Sequence, residues 1–136
     1  MMSFKVKFSD AELDFAYNIA RFFVENGQLE KARKILVGLN MLKRDPDITS
    51  LLCFVYLTKS ELTRADELLN SCSEEELKMS FALQVFSVLI KILQGRLLEA
   101  GTLLGDIKER HSSHQLAETE KAVIDFLEIQ LALRQK

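Results

Sequence analysis

The stretch GQLEKARKIL, residues 27–36, resembles many helix starts, but it recurs. SELTRADELL stands at residues 60–69 and GRLLEAGTLL at residues 95–104, offset from one another by 33 and 35 residues. All three obey one template: Gly or Ser, one residue, Leu, two residues, Ala, two residues, then a Leu/Ile pair or a close version of it. Self-similarity at a fixed period of this size marks an array of small structural units that bury their apolar faces by stacking.

The residues around the template read as helices. Ser9 and Glu12 form a capping box, in which the serine oxygen accepts from an early amide and the glutamate returns the bond. Ser73 and Glu76 form a second box, and Ser112 with Gln115 a weaker third. Asp45 before Pro46 offers a cap followed by proline at the first helical position, where its missing N–H costs nothing. Gly27 and Gly95 fit left-handed positions just past a helix. These signals predict seven helices, near 10–26, 29–42, 46–58, 62–71, 75–93, 97–110 and 114–134. In the first, Leu13, Ala16, Ile19, Ala20 and Phe23 share one stripe at helical spacing. Nothing reads as a sheet, although Phe4, Val6 and Phe8 alternate, so that the N-terminal arm is expected to be extended and to pack against something.

Composition narrows the function classes. A chain of 136 residues with 48% hydrophobic and 28% charged residues is expected to be one soluble domain. Eighteen basic against twenty acidic residues give a net charge of −2, which offers nucleic acid no electrostatic footprint. The longest apolar candidate, FALQVFSVLIKILQG, is broken by Gln84, Ser87 and Lys91, short of the roughly 18 uninterrupted apolar residues of a membrane span. MMSFKVKFSD has no continuous apolar region of the kind a signal peptide carries. Cys53 and Cys72 lie in different segments without metal-ligand spacing, so a reducing, cytoplasmic location is expected.

Two helices per unit at this period resemble the tetratricopeptide repeat, or TPR. The first repeat offers Ala16, Ile19, Ala20 and Phe23, then Ala32 and Leu36. The second offers Thr49, Leu52, Cys53 and Tyr56, then Ala65 and Leu69. The third keeps Ala100 and Leu104, but a strict register places Gln84, Ser87 and Lys91 at core positions of its first helix. Sliding that helix by one residue substitutes Val85, Val88, Leu89 and Ile92, which is the register preferred. The resemblance implies an all-α, TPR-like helical-hairpin solenoid of three repeats with a C-terminal capping helix. Its expected parts are an N-terminal arm (1–9), repeats at 10–44, 45–72 and 73–110, and the cap at 112–136.

No catalytic constellation emerges, and no cofactor is expected. His111 and His114 lie three apart near a helix boundary, but a metal site would need a third ligand and a second shell, and exposed histidines are the simpler reading. Cys53 and Cys72 fall at small positions of the repeat and read as packing residues. Gly101 and Gly105 lack the length and the lysine of a phosphate loop, and Glu74, Glu75 and Glu76 complement a helix dipole.

The first helices of stacked TPR hairpins line a concave groove. The expected partner-binding residues are Tyr17, Arg21 and Val24 on the first helix and Phe54 and Leu57 on the third. In the third repeat they are Val85, Leu89 and Ile92, or Phe86, Ile90 and Leu93, depending on register. The helix at 81–93 is apolar nearly all round, so it must be covered either by the C-terminal helix or by another chain. Tyr17, Arg21, Ser50 and Phe54 stand where some TPR domains carry the Lys, Asn and Arg of a carboxylate clamp, which points instead to an apolar, helical ligand.

A small, free-standing TPR chain of this kind resembles the chaperones of bacterial type III secretion, the needle-subunit class above the translocator class. The resemblance implies that the chain holds an amphipathic helix of a needle subunit, alongside a small helical co-chaperone. The competing expectation is a self-associating scaffold, a homodimer formed through the apolar helix.

Overall fold

The computed structural model describes residues 7–110 and 117–135. Among these residues the chain forms eight α-helices and no strand, as the sequence predicts for an all-α protein. The chain divides into two compact units at Ser60 and Glu61, a point that falls inside the second of the repeats expected from the sequence.

The first unit comprises α1 (Asp10–Glu25), α2 (Leu29–Leu42) and α3 (Pro46–Thr58). Ser9 caps α1 as expected: its hydroxyl accepts from the Glu12 amide at 3.1 Å, and the Glu12 carboxylate accepts from the Ser9 amide at 3.0 Å. The α1 and α2 helices pack side by side, with Ala20 and Ala32 fully buried where larger side chains would hold the helices apart. Asp45 caps α3, accepting from the Asp47 amide at 2.8 Å, and Pro46 opens the helix. The buried Thr49 hydroxyl donates to the Asn40 side-chain oxygen at 3.2 Å, tying α3 to α2. Leu36, Leu52, Cys53 and Val55 complete the buried interior.

The second unit comprises α4 (Leu62–Asn70), α5 (Glu74–Lys78), α6 (Phe81–Leu93), α7 (Leu97–Arg110) and α8 (Glu118–Arg134). Here α6 is central: α4, α5, α7 and α8 all pack on it. Its Val88 and Ile92 join Ala100, Leu104 and Ile107 of α7 and Ile124 and Leu127 of α8 in one buried cluster. The Glu128 carboxylate of α8 pairs with Lys108 of α7, and that pairing raises the lysine's pKa above its ordinary value.

The helix expected over 75–93 is two helices. The Ser80 backbone is extended and its hydroxyl accepts from the Leu83 amide at 3.2 Å, so α6 has its own N-cap and α5 ends before it. Gln84 fixes the break. Its side-chain amide nitrogen donates to the Leu77 and Lys78 carbonyls, both at 3.0 Å, satisfying the end of α5. The two bonds account for burial of the amide nitrogen, while the buried Gln84 Oε1 accepts no hydrogen bond. Val88 and Ile92 of the shifted register are buried, and Val85 and Leu89 pack beside the same cluster.

The recurring template has one local structure. Gly27, Ser60 and Gly95 all adopt the left-handed conformation, with φ of +74°, +61° and +75°. Past the two glycines the backbone closes the helix with a bond from Gln28 N–H to the Phe23 carbonyl and from Arg96 N–H to the Lys91 carbonyl, each 2.8 Å. The template alanines Ala32, Ala65 and Ala100 have no exposed surface, and Leu36, Leu69 and Leu104 are buried one turn later. His111, His114, the Ser112 cap, Phe4 and Val6 lie outside the described residues.

Candidate functional site

The residues expected to bind a partner divide by exposure. On α1, Arg21 is exposed and Tyr17 and Val24 are half-buried. On α3, Phe54 is 43% exposed and Leu57 half-buried. On α6, Leu93 is exposed, and Val85, Phe86 and Leu89 are half-buried. Ile90 and Ile92 are not surface residues: they are 1% and 2% exposed, committed to the chain's own interior, because α6 is covered from several sides. Val85 and Leu89 likewise rest against the core shared with α7 and α8. The α8 helix therefore covers one face of the apolar helix, as the intramolecular reading requires.

Within the first unit, Tyr17 borders a recess of only about 70 Å³ together with Asp14, Lys43, Asp45 and Asp47. Burial, then the Asp47 and Asp45 charges, push the Tyr17 phenol up from its ordinary value. A phenol held neutral in so small a space is a wall residue.

The large apolar space of this unit lies on another face of α1. Between α1 and α2 runs an open groove of about 580 Å³, within the usual range of ligand sites. Phe8, Ala11 and Phe15 form one wall and Ile35, Gly38 and Leu42 the other, with Glu12 and Lys34 at the rim. Phe8, Phe15 and Leu42 are 46%, 67% and 53% exposed, so this unit leaves bulky apolar surface open to solvent. Gly38 sits inside α2, where glycine lowers helix stability, and a Cβ built there would meet nothing within 4 Å. Its lack of a side chain keeps the groove open. None of the residues expected to bind a partner lines this groove. The signal that would have found it is the seven-residue spacing of Phe8 and Phe15, both exposed, at the entry to α1 and within it.

In the second unit two smaller clefts flank α6, of about 300 and about 190 Å³. Ser87 lines both, Gln84 the larger and Lys91 the smaller, so the three polar residues that interrupt this apolar helix face the same side. The Ser87 hydroxyl is engaged, donating to the Leu83 carbonyl at 3.0 Å. Charges around the larger cleft balance, Glu74 and Asp106 against Lys78 and Arg110.

Comparison with protein-family models, curated proteins and solved structures finds no match. Among the described residues no group of three or more His, Cys, Asp or Glu side chains is placed to hold a metal ion, and no helix is long and apolar enough to cross a membrane. Cys53 is buried, and the half-buried Cys72 thiol points to the Leu68 carbonyl at 3.6 Å. What the α1/α2 groove can do is exclude water from an apolar surface laid into it. Its two helical walls, apolar lining and charged rim suit another helix.

Proposed function

We propose that this chain is a non-catalytic, TPR-type chaperone or adaptor that holds an amphipathic helix of a partner protein in an apolar groove. The observation that carries the proposal is the open groove between α1 and α2, walled by exposed Phe15 and Leu42 and kept clear by Gly38. The TPR reading draws its support from the three left-handed turns, each followed by a fully buried alanine. Within this class the needle-subunit chaperone of type III secretion is the specific reading, acting in the cytoplasm. A subunit that polymerises through an apolar helix is kept monomeric when that helix is buried in a groove. Burial of several hundred Å² at about 25 cal/mol/Å² gives a useful gross gain, much of it lost to the ordering costs of association.

The test is recovery of the tagged chain from its native cells, with stoichiometric companions identified by mass spectrometry. The proposal expects a small helical, polymer-forming subunit that is retained by wild type and lost from folded Phe15→Glu and Leu42→Glu variants. Equal retention by both variants would remove the groove from the reading, and recovery of no companion would remove the chaperone.

A further inference from the structure

Gln84 and Ser87 stand one turn apart on the largely apolar α6, and both line the cleft of about 300 Å³ that α5 and α7 also border. Both partners of the Gln84 amide nitrogen are carbonyls, which only accept, so the amide cannot be turned over. Its oxygen is then left buried without a donor, on a residue only 6% exposed. The Ser87 hydroxyl has committed its one proton to the Leu83 carbonyl, so toward any further group it too is an acceptor. The two α6 residues in the cleft therefore offer acceptors and no donor.

The neighbouring helices bring charge. Glu74 and Lys78 come from α5 and Asp106 and Arg110 from α7, in each case an acid and a base one helical turn apart. Among the described residues none of these four side chains makes an ion pair. Acceptors on α6 call for a ligand with N–H or O–H donors, and the two carboxylates favour a cationic head. A bare amine would also meet Lys78 and Arg110, so the head that fits carries a carboxylate beside it. A space of about 300 Å³ stands at the lower end of ligand sites and suits a molecule of amino-acid size.

We infer that this cleft is a binding site for a zwitterionic α-amino acid with an apolar side chain. The ammonium donates to Gln84 Oε1, Ser87 Oγ and the Asp106 carboxylate, and Arg110 takes the ligand carboxylate through two parallel bonds. The side chain rests on Leu77, Leu103 and Ile107 of the same lining. Because Oε1 is buried, the wall must give to admit the head, and the five-residue α5 is the wall able to do so. The site lies wholly within the second unit, so it stands or falls independently of the α1/α2 groove and of a helical client.

Isothermal titration calorimetry of the full chain with leucine, isoleucine, valine, methionine and phenylalanine, each to about 10 mM, tests the inference. At least one is expected to bind one to one with a Kd below about 1 mM. For that amino acid the N-acetyl form, which has lost the ammonium, and the amide form, which has lost the carboxylate, should each bind at least about tenfold more weakly. Asp106→Asn and Arg110→Gln change exposed residues of α7, so each should keep the fold by circular dichroism while weakening binding by a similar factor. Binding of none of the five would leave water as the partner of Gln84 Oε1 and overturn the inference. Undiminished binding of either blocked form, or undiminished binding by both variants, would overturn it as well.

Discussion

Lys59, which caps the C-terminus of α3, pairs with Glu30 in the first turn of α2, 29 residues earlier. Glu30 also accepts from the Arg33 side chain, whose Nε lies 3.0–3.1 Å from its two carboxylate oxygens. One exposed carboxylate thus links two helices of the first unit through two cations.

That linkage carries a pH dependence. Hydrogen bonds from Arg33 and then Lys59 lower the Glu30 pKa from 4.5 to about 2. A depressed acid stabilises the fold above its unfolded pKa, and the contribution is lost as pH falls through the folded one. Wild type and Glu30→Gln should therefore differ in melting temperature at neutral pH and converge between pH 4.5 and about 2. High salt should shrink the difference, since the pair is exposed. A gap unchanged by acid would show that Glu30 acts through packing alone.

The turn positions make a second test. Ser60 takes a conformation that glycine adopts at Gly27 and Gly95. Gly27→Ala and Gly95→Ala should each cost about 1 kcal/mol in urea denaturation, and the whole cost is backbone, since a Cβ at either position meets nothing within 4 Å. Ser60→Gly should be neutral or stabilising by a few tenths of a kcal/mol, because relief of strain is partly offset by added unfolded-state entropy.

Gly38 separates binding from folding. Gly38→Leu adds a side chain to open groove space and removes a helix-interior glycine, which is worth about 0.5–1 kcal/mol of helix stability. The variant should melt no lower than wild type while losing the helical partner. A variant that both melts as expected and binds normally would show that the groove is not the binding surface.

Core and groove residues should behave oppositely. Leu127→Ala should cost about 2–5 kcal/mol in chemical denaturation, because Leu127 is 1% exposed within the cluster that joins α6, α7 and α8. Leu89→Glu should also destabilise, since Leu89 packs beside that cluster, whereas Phe54→Glu should leave stability within about 0.5 kcal/mol. Equal melting of Leu127→Ala and wild type would contradict the packing described for α8.

Much of the fold was legible because it rests on local signals. Ser9, Asp45 and Ser73 cap helices through short contacts fixed by nearby sequence, and the template alanines repeat at the spacing of their hairpins. The break at Ser80 was hidden because apolar residues continue on both sides of it, and one serine is a weak stop signal against that periodicity. Gln84 was read as a poor core residue since its partners, the Leu77 and Lys78 carbonyls, become visible only when the chain turns back. The partner surface was misplaced on Ile90 and Ile92 because register arithmetic assumes that a first helix keeps one face free, and α6 does not. The α1/α2 groove was missed because its decisive feature, the bare Cα of Gly38, is an absence of atoms in an otherwise regular helix.

The short helix α5 sets an order of unravelling within the second unit. Five residues are too few to sustain a helix in isolation. Its N-terminus is held by the Ser73 and Glu76 box, and its last carbonyls by one side chain, Gln84. The amides of α5 should exchange with solvent water well before those in the middle of α6, through a local opening that leaves the Val88–Leu127 core shut. Gln84→Leu should speed exchange in α5 selectively. The joint between α4 and α6 is thus a fuse, set to open while the rest of the unit holds.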